Sequence, residues 1–306
     1  MADLRDVKLA MKGPMPRRPL GRAGVDVSLL ALGGFHLGLA ADYATAERIV
    51  HTALDHGLDF FDNAWEYNDG RSEEWLGRAL VGRRDRAFVM TKLCSHGRDA
   101  TFAMRMLEES LRRLRTDHLD LWQIHEVVYA DDPDRHHAAD GAVEALFRAR
   151  QQGKVRFVGF TGHKSPDLHL AMLRDVPWDT VQMPLNAFDG NGFRSFEHHV
   201  LPVLLQRGIA PLGMKTMGGE GQPIKAGALT PEEALGYALS LPVAAVVSGI
   251  DSVDVLHQNL NISGGFTPLP DAERARIRAK AAPYAKDGRF ELFKTTAKYD
   301  ADEGRA

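Results

Sequence analysis

The stretch LDHGLDFFDNAWEYNDGRSEEWLGRAL, residues 54–80, contains one complete structural module. A helical run stops at Gly57, the apolar LDFF (Leu58–Phe61) reads as a strand, a polar loop carries Asp62 and Tyr67, and SEEWLGRAL opens a second helix at Ser72. Glycine permits the left-handed turn that ends a helix before the chain re-enters a sheet. The same punctuation returns at Gly153 in RQQGKVRF and at Gly208 in LQRGIAP. Further strands are expected at Val27–Leu32, Ala87–Thr91, Leu119–Ile124, Val155–Phe160, Asp179–Met183, Ile209–Met214 and Ala244–Gly249, from their β-branched and aromatic content and their Gly and Pro boundaries. Alternation within them is weak, as expected where helices cover one face and a closed core fills the other.

Between these runs lie amphipathic helices. ATAERIVHTALDHG sets Ile49, Ala53 and Leu54 on one stripe, and TFAMRMLEESLRRL repeats Met104, Leu107, Leu111 and Leu114, with Thr101 or Asp99 as its cap. Pro231 follows Thr230 at a first helical position. Eight strand–helix units between Val27 and Ile262 average about thirty residues, the length of a βα module. They predict an α/β fold, a closed (β/α)8 TIM barrel in a single domain. An N-terminal extension over about residues 1–18 and a C-terminal tail over about 266–306, lying over the barrel, complete it. A doubly wound dinucleotide fold would need a glycine-rich phosphate turn after its first strand, and Gly33, Gly34 and Gly38 miss that spacing.

Composition narrows the function classes. Of 306 residues, 44% are hydrophobic and 26% charged, and the net charge of -3 advertises no basic surface for nucleic acid. The short RRLR run (Arg112–Arg115) reads as a solvated helix face. Cys94 is the only cysteine, which excludes an internal disulfide, a cysteine-ligated iron–sulfur cluster and a cysteine-rich zinc site. The N-terminal segment lacks the apolar core of a secretory signal and no stretch approaches a membrane span, so a cytoplasmic, soluble protein is expected. His136 and His137 in DRHHAADG raise a metal site, but no compact set of further ligands accompanies them, and no metal is expected.

In a barrel, chemistry belongs at the C-terminal ends of the strands. That rule selects Asp62 after the second strand, Tyr67 in the following loop, Lys92 after the third and His125 after the fourth. An ammonium beside a phenol favours the phenolate, so Lys92 is expected to make Tyr67 easier to deprotonate, with Asp62 holding Lys92 in place. His125 either orients a carbonyl oxygen or shares the proton through a hydrogen bond. Such a group suits the polarisation of a carbonyl while something else adds to its carbon.

With these residues in place, the sequence resembles the aldo/keto reductase family. GLDFFDNAWEYNDGRSEEWLGRAL carries the family's aspartate and tyrosine as Asp62 and Tyr67, FVMTKL its lysine as Lys92, and LDLWQIHEV its histidine as His125. PRRPLGRAGVDVSLLALGG is similar to the family's N-terminus, and the resemblance runs from about Pro16 to Leu260. It implies a (β/α)8 barrel that reduces an aldehyde or ketone to an alcohol, or the reverse, with NADP or NAD. Tyr67 would then be the general acid, Lys92 its activator, Asp62 the partner of Lys92, and His125 the orienter of the carbonyl.

The resemblance also assigns Gln182, in VQMPLN, to the nicotinamide carboxamide. The family's usual Ser-Asn pair after the fifth strand appears as Thr161-Gly162, with His163 beside it, and its stacking aromatic is absent near Ile209 and Ala210. PLGMKTMGG, with Leu212 and Lys215, is expected along the pyrophosphate. SGIDSVDVLHQNL is similar to the family's adenosine-phosphate motif, placing Ser248, Gly249, Ile250, Asp251, Gln258 and Asn259 at the cofactor. Asp251 and Val255 stand near positions where members that prefer the phosphorylated dinucleotide bring Lys or Arg, which weakens the default preference for NADPH. Trp65, Tyr129, Phe188 and Phe193 are expected pocket walls for a small carbonyl or alcohol substrate, and Arg98, His96 or Lys294 would attract an anionic one. The alternative reading is a reductase-like, nucleotide-binding regulatory or partner-binding module with little turnover. The sequence does not specify an oligomeric state.

Overall fold

The protein is described from a computed structural model covering residues 7–94, 99–192 and 194–300. Strands β1 (Arg17–Pro19) and β2 (Asp26–Ser28) form an antiparallel hairpin. Eight more close a barrel: β3 (Leu30–Gly33), β4 (Phe60–Asp62), β5 (Phe88–Leu93), β6 (Leu119–Ile124), β7 (Val155–Thr161), β8 (Thr180–Pro184), β9 (Ala210–Met214) and β10 (Ala245–Gly249). Each is parallel to its neighbour in chain order, and β10 closes onto β3. The predicted Val27–Leu32 strand is divided, its first residues joining the hairpin and its last the barrel.

Strand pleating sorts the side chains into two cores. Phe60, Phe88, Met90, Leu121, Ala210, Leu212 and Val247 fill the barrel, with Leu20 and Val27 of the hairpin region closing its lower end. Phe61, Val89, Trp122, Ile124, Val158, Phe160, Val181 and Met183, on the opposite parity, pack outward against the helices. Both faces are therefore apolar, which is why alternation is faint in the sequence. Burying one such side chain stabilises the fold by about 1.5–3 kcal/mol.

The helices follow the sequence closely. Asp42 caps Tyr43–Asp55, Asp99 rather than Thr101 caps Ala100–Leu114, and Thr230 forms a capping box with Glu233 ahead of Pro231–Ser240. Gly57, Gly153 and Gly208 have φ of 80°, 73° and 66°, the left-handed turns expected of them. The helix predicted to begin at Ser72 instead begins at Arg71, after a sharp turn in which Asn68, Asp69 and Gly70 all have positive φ. RRLR is not wholly a solvated face. Arg113 reaches under that turn to the Trp65 carbonyl at 2.8 Å and to the buried Glu73 at 3.2 Å. Residues 7–10 lie along Val253–Ser263, where Val7 N–H donates to Asp254 and Asn261 donates to the Lys8 carbonyl. Asp271–Ala285 is a helix, followed by a short turn of helix at Leu292–Thr295. No helix among the described residues is long and apolar enough to cross a membrane.

Candidate active site

Asp62 and Lys92 share the inward parity of Phe60 and Met90, so they form the upper layer of the barrel interior instead of facing the helices. His125 follows β6 in the same phase as Leu121, and its N–H donates to the Leu93 carbonyl. The loop after β4 is zipped onto the end of β5 by Asn63 N–H to Met90 O and Trp65 N–H to Lys92 O. Those bonds swing Tyr67 over the barrel mouth. All four residues selected from strand ends thus converge.

The contacts are direct. Lys92 Nζ is ion-paired with Asp62 Oδ1 and donates to the Asn63 carbonyl at 2.7 Å and the Tyr67 oxygen at 3.3 Å. The Tyr67 oxygen lies 3.4 Å from His125 Nε2, and His125 Nδ1 contacts the Glu66 carboxylate. Burial, reinforced by Asp62, Glu66 and Glu126, pushes the Tyr67 phenol well above its usual range. The expected lowering by Lys92 is therefore not the net effect: Asp62 offsets the ammonium in direct contact, and desolvation dominates. Burial also holds His125 down at about 3, so the imidazole is neutral at physiological pH.

Around this group the structure leaves polar atoms without partners among the described residues. Gln182 donates to Asp62 Oδ2 at 3.2 Å, yet its Oε1 is buried and unpaired. Thr161, in register with Gln182 on the neighbouring strand, has a buried, unpaired hydroxyl. An unsatisfied buried polar group costs about 1–3 kcal/mol, and one amide-bearing ligand, donor and acceptor together, satisfies both. Gly162 supplies no side chain because there is no space for one: a Cβ there would lie 2.5 Å from the Val127 carbonyl and 2.8 Å from the His169 ring. His163 does not replace it, being turned to Asp300 at 3.1 Å.

The remaining expected cofactor residues lie in or beside two loops, those after β9 and β10. Leu212 is buried in the barrel interior, in register with Gln182. Lys215, just past β9, has φ of 55°, and its ammonium sits 5.1 Å from the Phe293 ring and 4.9 Å from that of Tyr299. Burial brings its pKa down to about 8, against the pull of Glu126 and Asp300. Ser248 accepts from Asn259 Nδ2 at 3.0 Å, while Asn259 Oδ1 is buried and unpaired. Ile250 is buried, Asp251 is exposed, and Gln258 is half-buried on Val253–Ser263, which Ser252 caps. His36, overlooked in the sequence, lies against Gly249 so closely that a Cβ there would meet its Nδ1 at 2.3 Å. It stands within electrostatic range of Lys215, Glu220 and Asp251, between the two loops. Its only sequence signal is its position in the glycine-rich GGFHLG, directly after β3.

The expected substrate walls divide differently. Phe35, 44% exposed, stands edge-on to Tyr67 at 5.5 Å, a neighbour that sequence reading did not select. Trp65 is anchored through its N–H to Glu109, and Phe188 packs on Phe290, so both act in the scaffold. Tyr129 is half-buried, while Phe193, His96 and Arg98 lie outside the described residues. Lys294 does not await an anion: it is buried in ion pairs with Asp189 and Glu291. No group of three or more His, Cys, Asp or Glu among the described residues is placed to hold a metal ion, and His137 Nδ1 bonds the Pro133 carbonyl.

A profile of the Aldo/keto reductase family matches residues 29–222. The chain belongs to the aldo/keto reductase family. It is 31% identical to the uncharacterized oxidoreductase YrpG of Bacillus subtilis over 70% of this chain and 72% of that protein. Identity to the L-galactose dehydrogenase of Arabidopsis thaliana is 29%, over 67% and 68%. The holo form of the aldo-keto reductase AKR11C1 from Bacillus halodurans superimposes with a TM-score of 0.74 at 25% identity, covering 87% of this chain and 96% of that one. Membership of the aldo/keto reductases supports oxidoreductase activity on a small carbonyl or alcohol substrate.

Proposed function

We propose that this chain reduces an aldehyde or ketone to an alcohol, or runs the reverse, with Tyr67 as the general acid or base. The observation that carries the reading is the Tyr67 oxygen held between Lys92 and His125 at the barrel mouth, beside the unpaired Gln182 and Thr161 oxygens. Gln182 and Thr161 would hold the carboxamide of NADP or NAD, and Lys215, Ser248, Gly249 and Asn259 its phosphates and ribose. When bound, that group supplies or accepts the hydride. The chain's own part is to position the carbonyl, to exclude water, and to keep a protonated phenol at the carbonyl oxygen. A phenol pushed upward by burial is a proton donor at neutral pH, and Lys92 stabilises the tyrosinate left behind. Asp251 weakens the family's default preference for NADPH, since its charge would oppose a 2′-phosphate.

The test is a screen of aldehydes and ketones with NADH and NADPH, the matching alcohols with the oxidised forms, and fluorescence titration of each reduced nucleotide. Turnover that follows nucleotide binding supports the reading. Nucleotide binding without turnover of any carbonyl would instead favour a regulatory, partner-binding module on the same barrel.

A further inference from the structure

The hydrogens around Tyr67 can be counted. An ammonium has three donors and no acceptor. Lys92 directs its donors to Asp62, to the Asn63 carbonyl and to the Tyr67 oxygen. The phenolic oxygen thus receives one hydrogen bond and has its own proton to give. The other hydrogen-bond contact described for that oxygen is His125 Nε2, at 3.4 Å. On the far side of the ring, Nδ1 meets the Glu66 carboxylate. An ionised carboxylate only accepts, so Nδ1 carries the hydrogen, and Nε2 of the neutral ring presents a lone pair. Donors and acceptors then match along the whole line from Lys92 to Glu66.

We propose that Glu66 is a positioning residue that holds His125 as the Nδ1–H tautomer, making Nε2 the acceptor of the Tyr67 hydrogen bond and not a donor to the substrate oxygen. This rests on the reading of Tyr67 as the acid–base group, and of the two roles open to His125 it selects proton sharing. In alcohol oxidation a tyrosinate would take the alcohol proton and the re-formed phenol would donate its hydrogen bond to the Nε2 lone pair, while a bound nicotinamide would accept the hydride. In reduction the phenol would give that proton to the carbonyl oxygen and Lys92 would stabilise the tyrosinate, with His125 neutral throughout.

Side-chain ¹⁵N NMR of histidine-labelled protein, with His125→Gln identifying the signal, reads the tautomer without substrate or cofactor. At neutral pH the wild type should show neutral Nδ1–H. Glu66→Gln should match it, because its amide oxygen still accepts from Nδ1, and Glu66→Ala should release the ring to a mixture or to Nε2–H. An Nε2–H ring or an imidazolium in the wild type, or an unchanged tautomer in Glu66→Ala, overturns the proposal. Kinetically, Glu66→Ala should lower kcat at least about tenfold with KM moved less than about twofold, and Glu66→Gln should recover most of the loss. A loss confined to KM would contradict it. If Glu66→Ala does not fold, the wild-type and Glu66→Gln spectra still decide. The expected tautomer in a wild type that turns over no carbonyl would uphold the assignment and remove the reductase reading.

Discussion

Tyr67, Lys92, Asp62 and His125 were legible because each follows a strand, and a barrel gathers strand ends. Glu66 and His36 were not. Neither lies in a periodic run, and each acts by reaching a residue far away in sequence, His125 and Gly249 respectively. The direction of the Tyr67 shift was also hidden, because it depends on how completely the folded chain excludes water from the phenol. Asp251 is the residue on which nucleotide choice is argued. It is exposed beside the cap of Val253–Ser263, so its removal should leave the fold intact. Asp251→Ala should improve NADPH affinity relative to NADH severalfold, a change on the order of 1 kcal/mol for one exposed charge. Fluorescence titration of both nucleotides measures it, and an unchanged ratio removes the charge argument.

At the scale of elements, the barrel strands were read to within a residue or two, apart from the run divided between β2 and β3, while β1 was not expected. That division could not be read, since Val27 and Leu30 are equally apolar and only the hairpin pairing separates them. Arg113 was mistaken for surface because its neighbours Arg112 and Arg115 are exposed, whereas its own side chain bridges to the loop that carries Tyr67. The turn after β7 explains the departure from the family's Ser-Asn pair. A side chain at Gly162 would collide with a backbone carbonyl that cannot move without shifting the loop after His125. Gly162→Asn, which restores the familiar pattern, should therefore destabilise the protein by about 1–3 kcal/mol. A thermal melt showing no loss would mean that this turn relaxes freely.

For the whole molecule, burial of imidazoles ties stability to pH. His125 and His163 are held at about 3 and His169 at about 4, each chiefly by desolvation. Their unfolded value is about 6.5, so below it the unfolded chain binds protons that the folded chain refuses. Their stabilising contribution is complete above about 6.5 and is lost as pH falls toward the folded values. Each imidazole costs up to about 2 kcal/mol by about pH 5. Tm should therefore fall between about pH 7 and about pH 5, and His169→Phe should flatten the slope if it folds. A Tm independent of pH over that interval would show that these rings are solvated. The same interior that keeps the rings neutral leaves Gln182 Oε1 and the Thr161 hydroxyl without partners among the described residues, so the barrel is both the scaffold and the source of the site's unmet hydrogen bonds.

The most direct test is the carbonyl-reduction rate of Tyr67→Phe with saturating reduced nucleotide, alongside the nucleotide affinity of the same variant. The phenyl ring keeps the packing against Phe35 and His125 and removes only the hydroxyl. Turnover should fall by about 10²–10⁴ while nucleotide affinity is preserved. Turnover within about twofold of the wild type would show that the proton comes from elsewhere, contradicting the role given to Tyr67.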